Sequence, residues 1–91
     1  MYTIVESTRF RRDVKLCRKR GKDMEKFKAI HTLLVHGKAP PAKYRNHALI
    51  GNWKGNRECH IEPDWLLIYR VLEEEKILEY VRMGNHADLF E

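Results

Sequence analysis

The hydrophobic period of this chain changes once, at Pro40-Pro41, and that change decides most of what it can fold into. Upstream, Phe10, Val14 and Cys17 recur at helical spacing, and Met24, Phe27, Ile30 (or His31) and Leu34 do so again. Ser7 or Thr8 caps the first helix and Gly21 ends it. Asp23 caps the second, with Glu25 well placed in its first turn, and Gly37 followed by the two prolines stops it. Tyr2–Val5 precede them as a short strand. Downstream the period falls to two. A strand is expected over residues 44–50, turns at Gly51-Asn52 and Gly55-Asn56, and a second strand over Arg57–Glu62. After the break at Pro63-Asp64, Trp65–Leu72 and Ile77–Val81 form a hairpin across the acidic tip Glu73-Glu74-Glu75. The order βααββββ predicts an α+β fold: two N-terminal helices packed on one face of a mostly antiparallel four- to five-stranded sheet, as a single domain over residues 1–91. The opposite sheet face is then open or only partly covered.

Charge says what that face can attract. Eighteen Lys and Arg against thirteen Asp and Glu leave +5, an excess that draws polyanions, of which nucleic acid is the commonest. The cations crowd residues 9–28 and reappear among aromatics at Lys43, Tyr44, Arg45, Trp53, Lys54 and Arg57. No apolar run reaches the roughly 18 residues that would suggest a membrane span, and Met1–Glu6 carries no signal-peptide core. Cys17 and Cys59 stand far apart outside any CxxC pattern, so they are expected as free thiols in a cytoplasmic protein.

Three of the five histidines, His47, His60 and His86, fall in the β half near Glu58, Asp64, Arg57 and Arg82; His31 and His36 are expected at the surface or core edge. Regular alternation places Glu58, His60 and Glu62 on one strand face, with Arg57, Cys59 and Ile61 on the other. Metal catalysis is not expected: there is no HExxH, no cysteine pair and no dense carboxylate cluster. RNA offers chemistry that needs none, because its 2′-hydroxyl adjoins the scissile phosphate. An enzyme has only to take that proton and protonate the 5′-oxygen that leaves. Imidazole suits both tasks near neutral pH, a carboxylate such as Asp64 can orient a histidine or act as base, and Arg or Lys can stabilise the phosphorane-like charge. Trp53 and Trp65 read as packing residues, Arg70 as a cross-strand partner of Glu79, and Tyr69 and Tyr80 as sheet residues.

The run from His47 to Trp65, H-x-L-x-G-x-W-K-G-x-R-x-x-H-x-x-P-D-W, and the closing G-x-H-x-x-L-F from Gly84 to Phe90 resemble the YafQ branch of the RelE toxins. Those are messenger-RNA interferases of bacterial type II toxin–antitoxin systems. The resemblance is specific over residues 44–90, while the basic helices match in character alone. It implies that His86 donates the proton to the leaving 5′-oxygen, that His47, His60 and Asp64 are needed for cleavage, and that Phe90 positions a base by stacking. It further implies that Arg82, Arg57 and, more loosely, Lys54 hold phosphate, with Glu58 at a position where an acid is common. The implied partners are mRNA, the 70S ribosome and a cognate antitoxin acidic along its toxin-binding segment, with operator DNA reached through the antitoxin alone. No cofactor and no membrane are expected. Two other readings share parts of this pattern. ParE-type toxins have a similar architecture and bind DNA gyrase without this His/Asp set, and a non-catalytic RNA-binding module accounts for the charge but not the histidines.

Overall fold

One long hairpin organises the β half. In the computed structural model, which describes residues 1–90, β4 (Trp65–Leu72) pairs antiparallel with β5 (Ile77–Gly84), from Leu66 opposite Gly84 to Leu72 opposite Ile77. β5 thus runs three residues past the expected end at Val81. The tip over Glu73–Lys76 is tight, and Lys76 takes a positive φ of 55°. Arg70 stands opposite Glu79 and bonds it at 2.6 Å, the expected cross-strand pair.

Three further strands complete the five-stranded order β1-β5-β4-β3-β2. β3 (Arg57–Glu62) adds antiparallel to β4, and β2 (His47–Ala48) antiparallel to β3. β1 (Thr3–Glu6) joins the far edge parallel to β5, so the sheet is antiparallel except at that edge. β1 and β5 are far apart in sequence, separated by α1 (Thr8–Lys19), α2 (Met24–Val35) and the three strands β2–β4, so no tight turn joins them and parallel pairing is open to them. The expected strand over residues 44–50 shrinks to His47–Ala48. Ala42–Tyr44 forms a 3₁₀ turn, and Arg45 adopts a left-handed φ of 48° that ends it before pairing can begin.

The helices dock as their apolar stripes require. Phe10, Cys17, Ile30 and Leu34 pack on Cys59, Trp65, Leu67, Tyr69, Leu78, Tyr80 and Met83. The Phe10 ring stacks on Tyr80 at 5.1 Å between centroids, and His31 Nδ1 lies 2.6 Å from the Tyr80 hydroxyl, which makes His31 a core-edge residue as expected. Ser7 caps α1 by accepting from the Phe10 amide at 2.9 Å, and its hydroxyl donates to the Val81 carbonyl at 2.7 Å, so one side chain ties the helix start to β5. Both cysteines are free and buried. Burial, then the neighbouring Glu58 carboxylate, pushes the Cys59 thiol up to about 12, far from the thiolate that reactive cysteines need.

The other face carries a smaller cluster. Leu66, Ile68 and Leu89 are buried there with Leu49, Trp53 and Val81 against them. A short C-terminal helix, α3 (His86–Phe90), and the loop through Trp53 therefore cover part of this face, while the histidine-bearing part beside β2 stays open. Among the described residues, no helix is long and apolar enough to cross a membrane.

Candidate active site

Sheet pairing assembles the first half of the site. Glu58 and His60 are two apart on β3, so they share a face, and β2 sets His47 directly opposite Glu58. His60 Nε2 lies 3.0 Å and His47 Nε2 3.7 Å from the same Glu58 oxygen. Glu58 is the one charged side chain that is buried among the described residues, at 5% exposure. A buried carboxylate needs compensation, and the two imidazoles supply it. His47 Nδ1 gives its proton to the Arg45 carbonyl at 2.8 Å, which leaves its Nε2 with a lone pair, whereas His60 Nδ1 faces the Pro63 carbonyl at a longer 3.4 Å. A carboxylate can only accept, so His60 donates to Glu58 through Nε2, and His47 Nε2 is left as the proton acceptor of the cluster.

The turn and α3 supply the second half. Asp64 occupies the bend between β3 and β4, and His86 opens α3. One Asp64 oxygen accepts from the His86 backbone N–H at 2.9 Å and lies 2.6 Å from its Nδ1. Those bonds, the backbone one first, hold the Asp64 carboxyl below its ordinary range. With Nδ1 tied to the carboxylate, Nε2 is the ring atom free to meet a substrate. The rings follow one another as an arc: His47 to His60 at 6.3 Å, His60 to His86 at 5.9 Å, His86 to Phe90 at 6.3 Å and Phe90 to Trp53 at 5.7 Å between centroids. Phe90 keeps 41% of its surface exposed, with the edge-on Trp53 bracing it.

The remaining expected residues are distributed differently. A register shift between His60 and Glu62 places Glu62 opposite Trp65 rather than beside Glu58 and His60, and on that side Lys22 and Lys26 hold it at 3.1 and 2.7 Å. Arg57 stands opposite Tyr69 and lines a small cavity with Leu34 of α2, so strand alternation sends it to the helix-packed side, away from the histidines. Arg82 is bound through Nε and Nη2 to Asp13 of α1 at 2.7 and 3.2 Å, and the same carboxylate takes the Met83 amide at 3.0 Å. Lys54 is exposed beside Trp53.

Sequence reading overlooked the frame that carries α3. Asn85 Oδ1 accepts from the Asp88 amide at 2.7 Å, and Asp88 returns to the Asn85 amide at 3.0 Å, a reciprocal cap. The acid three residues after Asn85 was the available signal. Arg20, the C-cap of α1, then clamps Asp88 at 2.6 and 3.2 Å. Gly84 leaves room for this: a methyl there would meet Asp88 Oδ2 at 2.9 Å. Gly84→Ala should lower stability by about 1–3 kcal/mol, an overpacking cost, and cleavage activity should fall with it. A melting temperature equal to that of the parent chain would contradict this account of α3.

The carboxylates also set a pH limit. Asp64 and Asp88 are both held below their ordinary 3.8, by His86 and by Arg20 respectively. The unfolded chain therefore takes up these protons at higher pH than the native one. Their stabilising contribution is complete above pH 3.8 and disappears as pH falls through the lowered native values. Carboxyl carbon resonances followed by NMR should titrate with midpoints below 3.8 for both residues; midpoints at or above it would count against the α3 anchorage.

His47, Glu58 and His60 also offer three ligand atoms within 4.8 Å of one another, the spacing a metal ion would need. Close pairs along the sequence, the criterion used above, could not reveal a trio that sheet pairing creates.

Comparison with known proteins identifies the family. The family model described as "Bacterial toxin of type II toxin-antitoxin system, YafQ" matches residues 2–91. The "mRNA interferase toxin YafQ" of Escherichia coli (strain K12) is 49% identical over 85 residues, covering 92% of this chain and 90% of that protein. In the crystal structure of the E. coli DinJ-YafQ complex, a chain 47% identical superposes with a TM-score of 0.91 over 100% of both chains. The metal-bound toxin from Helicobacter pylori, 38% identical, gives a TM-score of 0.92 over 99% of this chain and 100% of that one. These matches show that the chain belongs to the YafQ family of bacterial type II toxin–antitoxin toxins.

Proposed function

We propose that this chain is an endoribonuclease that cuts messenger RNA by attack of a 2′-hydroxyl on the adjacent phosphate, using its own side chains as acid and base. One observation carries the reading: a cluster of two histidines on a buried carboxylate and a carboxylate-oriented histidine face each other with 5.9 Å between the His60 and His86 ring centroids, on the open part of the sheet. The His47–Glu58–His60 cluster takes the 2′-hydroxyl proton as the oxygen bonds to phosphorus. The imidazolium formed there offsets the extra negative charge of the phosphorane. His86, protonated and steadied by Asp64, gives its Nε2 proton to the 5′-oxygen as the P–O5′ bond breaks. The products are a 2′,3′-cyclic phosphate and a 5′-hydroxyl. Phe90 lies beside His86 and stacks the base on the leaving side. Arg82, held in place by Asp13, has Nη1 left for a phosphate, and exposed Lys54 offers a looser contact.

The setting of the reaction comes from the family and from charge. The relative in the DinJ-YafQ complex is seated with its antitoxin, and this chain's exposed cations on α1 suit an acidic antitoxin segment or ribosomal RNA. We place the cut on a message in the ribosomal decoding site and the toxin in the cytoplasm. The test is to express the chain and map transcript ends with and without ribosomes, in the presence of a chelator. Growth arrest with new 5′-hydroxyl ends, insensitive to the chelator, is expected. Arrest with intact transcripts would move the chain to the gyrase-binding class, and chelator-blocked cleavage would make the His47–Glu58–His60 trio a working metal site.

A further inference from the structure

Beside the arc lies a groove of about 600 Å³, within the roughly 300–1,000 Å³ typical of ligand pockets, between the start of α2 and the end of β3. His60 belongs to both the arc and the groove wall. Tyr44, Ile61 and Pro63 give the groove an apolar lining, and Lys43 and Arg45 stand on it as cations. Among the described residues neither cation has an acidic partner. The acids of the opposite wall are already engaged, Asp23 in capping α2, Glu25 with Lys28 and Glu62 with Lys22 and Lys26. Lys43 Nζ sits 5.1 Å from the Tyr44 ring centroid, and the Arg45 carbonyl holds His47, so this segment is joined to the catalytic cluster through the backbone. An apolar, aromatic-lined slot with two uncommitted cations next to a phosphodiester site suits a nucleotide: a flat base against Tyr44 and its flanking phosphates near Lys43 and Arg45.

We infer that this groove is a second nucleotide subsite, which takes the nucleotide on the 5′ side of the scissile phosphate. The inference rests on the ribonuclease reading above, and its polarity follows from that reading. His86 and Phe90 attend the leaving 5′-oxygen, which belongs to the 3′-side nucleotide. The groove meets the arc at His60, on the side of His86 away from Phe90 and within the cluster that takes the 2′-hydroxyl proton, so the preceding nucleotide lies there. Tyr44, Lys43 and Arg45 are therefore substrate-positioning residues, and a preference for the base preceding the cut would originate at Tyr44.

The test uses the full chain and an RNA oligonucleotide that spans the mapped cut, with deoxyribose at the cleaved nucleotide so that it binds without reacting. Fluorescence anisotropy should show Tyr44→Leu binding roughly tenfold more weakly, while Tyr44→Phe keeps parental affinity. Leucine retains an apolar side chain against the core, and a melting curve checks that the variant is folded. Removing the 5′-side base should weaken the parent chain by a similar factor and leave Tyr44→Leu nearly unchanged. The double variant Lys43→Gln/Arg45→Gln should lower the slope of log affinity against log salt by about 1.4, the value for two phosphate contacts on a single strand. Equal weakening of intact and abasic RNA by Tyr44→Leu overturns the subsite, as does a normal RNA affinity with lost antitoxin binding. In both cases a parent chain that still cuts RNA leaves the ribonuclease reading standing. A parent chain that neither cuts nor binds RNA removes both.

Discussion

His86→Gln should reduce cleavage by about 10²–10⁴-fold, the usual contribution of a positioned general acid, while leaving RNA and antitoxin binding within about twofold of the parent chain. The geometry explains why the loss should be confined to chemistry. Asp64 holds α3 through the backbone N–H of residue 86 as well as through the ring, at 2.9 Å, and that bond survives the substitution. The reciprocal Asn85–Asp88 cap and the Arg20 clamp are untouched. Glutamine fills similar space but carries no proton that it can release near neutral pH. The change should therefore appear in kcat, not in KM, because the lost interaction is with a proton in flight. Single-turnover cleavage of a message, alongside antitoxin pull-down, reads both quantities. Undiminished cleavage would take His86 out of the mechanism.

Glu58→Gln is expected to be nearly as damaging, about 10²-fold or more in kcat, for a different reason. The carboxylate touches solvent hardly at all and reaches the substrate through its neighbours. Its carboxylate orients His60 by accepting from Nε2 at 3.0 Å and faces the imidazolium that forms when the cluster takes a proton; an amide of the same shape removes that charge. The acid–base balance of the cluster, and with it the pH profile of cleavage, should shift. Glu58→Asp should recover part of the rate by restoring the charge at a longer distance. A pH profile unchanged in Glu58→Gln would show that Glu58 only fills space, whatever happened to the rate.

Much of this was legible along the chain because it depends on neighbours in sequence. Both helices ended where Gly21 and Gly37 suggested, Ser7 and Asp23 capped them, and the expected 65–81 hairpin formed, with a register shift at Ile68/Tyr69 that alternation does not reveal. Glu58 and His60 share a face because they are two residues apart on a strand, a fact that needs no fold. Asp64 and His86 are 22 residues apart, and their contact at 2.6 Å exists because a bend and a helix start meet in space. The misread positions depart from regular strand geometry in two ways. Glu62 changes face through a local register shift that period-two alternation cannot represent, and the 44–50 segment turns instead of extending because Arg45 enters a left-handed conformation open to few residue types. Arg57 illustrates the reverse case: alternation already sent it to the helix side, and the structure keeps it there.

Local rules, then, were enough to specify which segments become helix or strand, and which residue types able to move a proton this protein carries. They act within a few residues, through backbone sterics, capping and side-chain period. The assembly of His47, Glu58, His60, Asp64, His86 and Phe90 into one arc, and the capture of Arg82 by Asp13, came from chain closure. Contacts between distant residues form because burying two hydrophobic faces at once leaves few ways to stack the elements, and that constraint acts on the whole molecule.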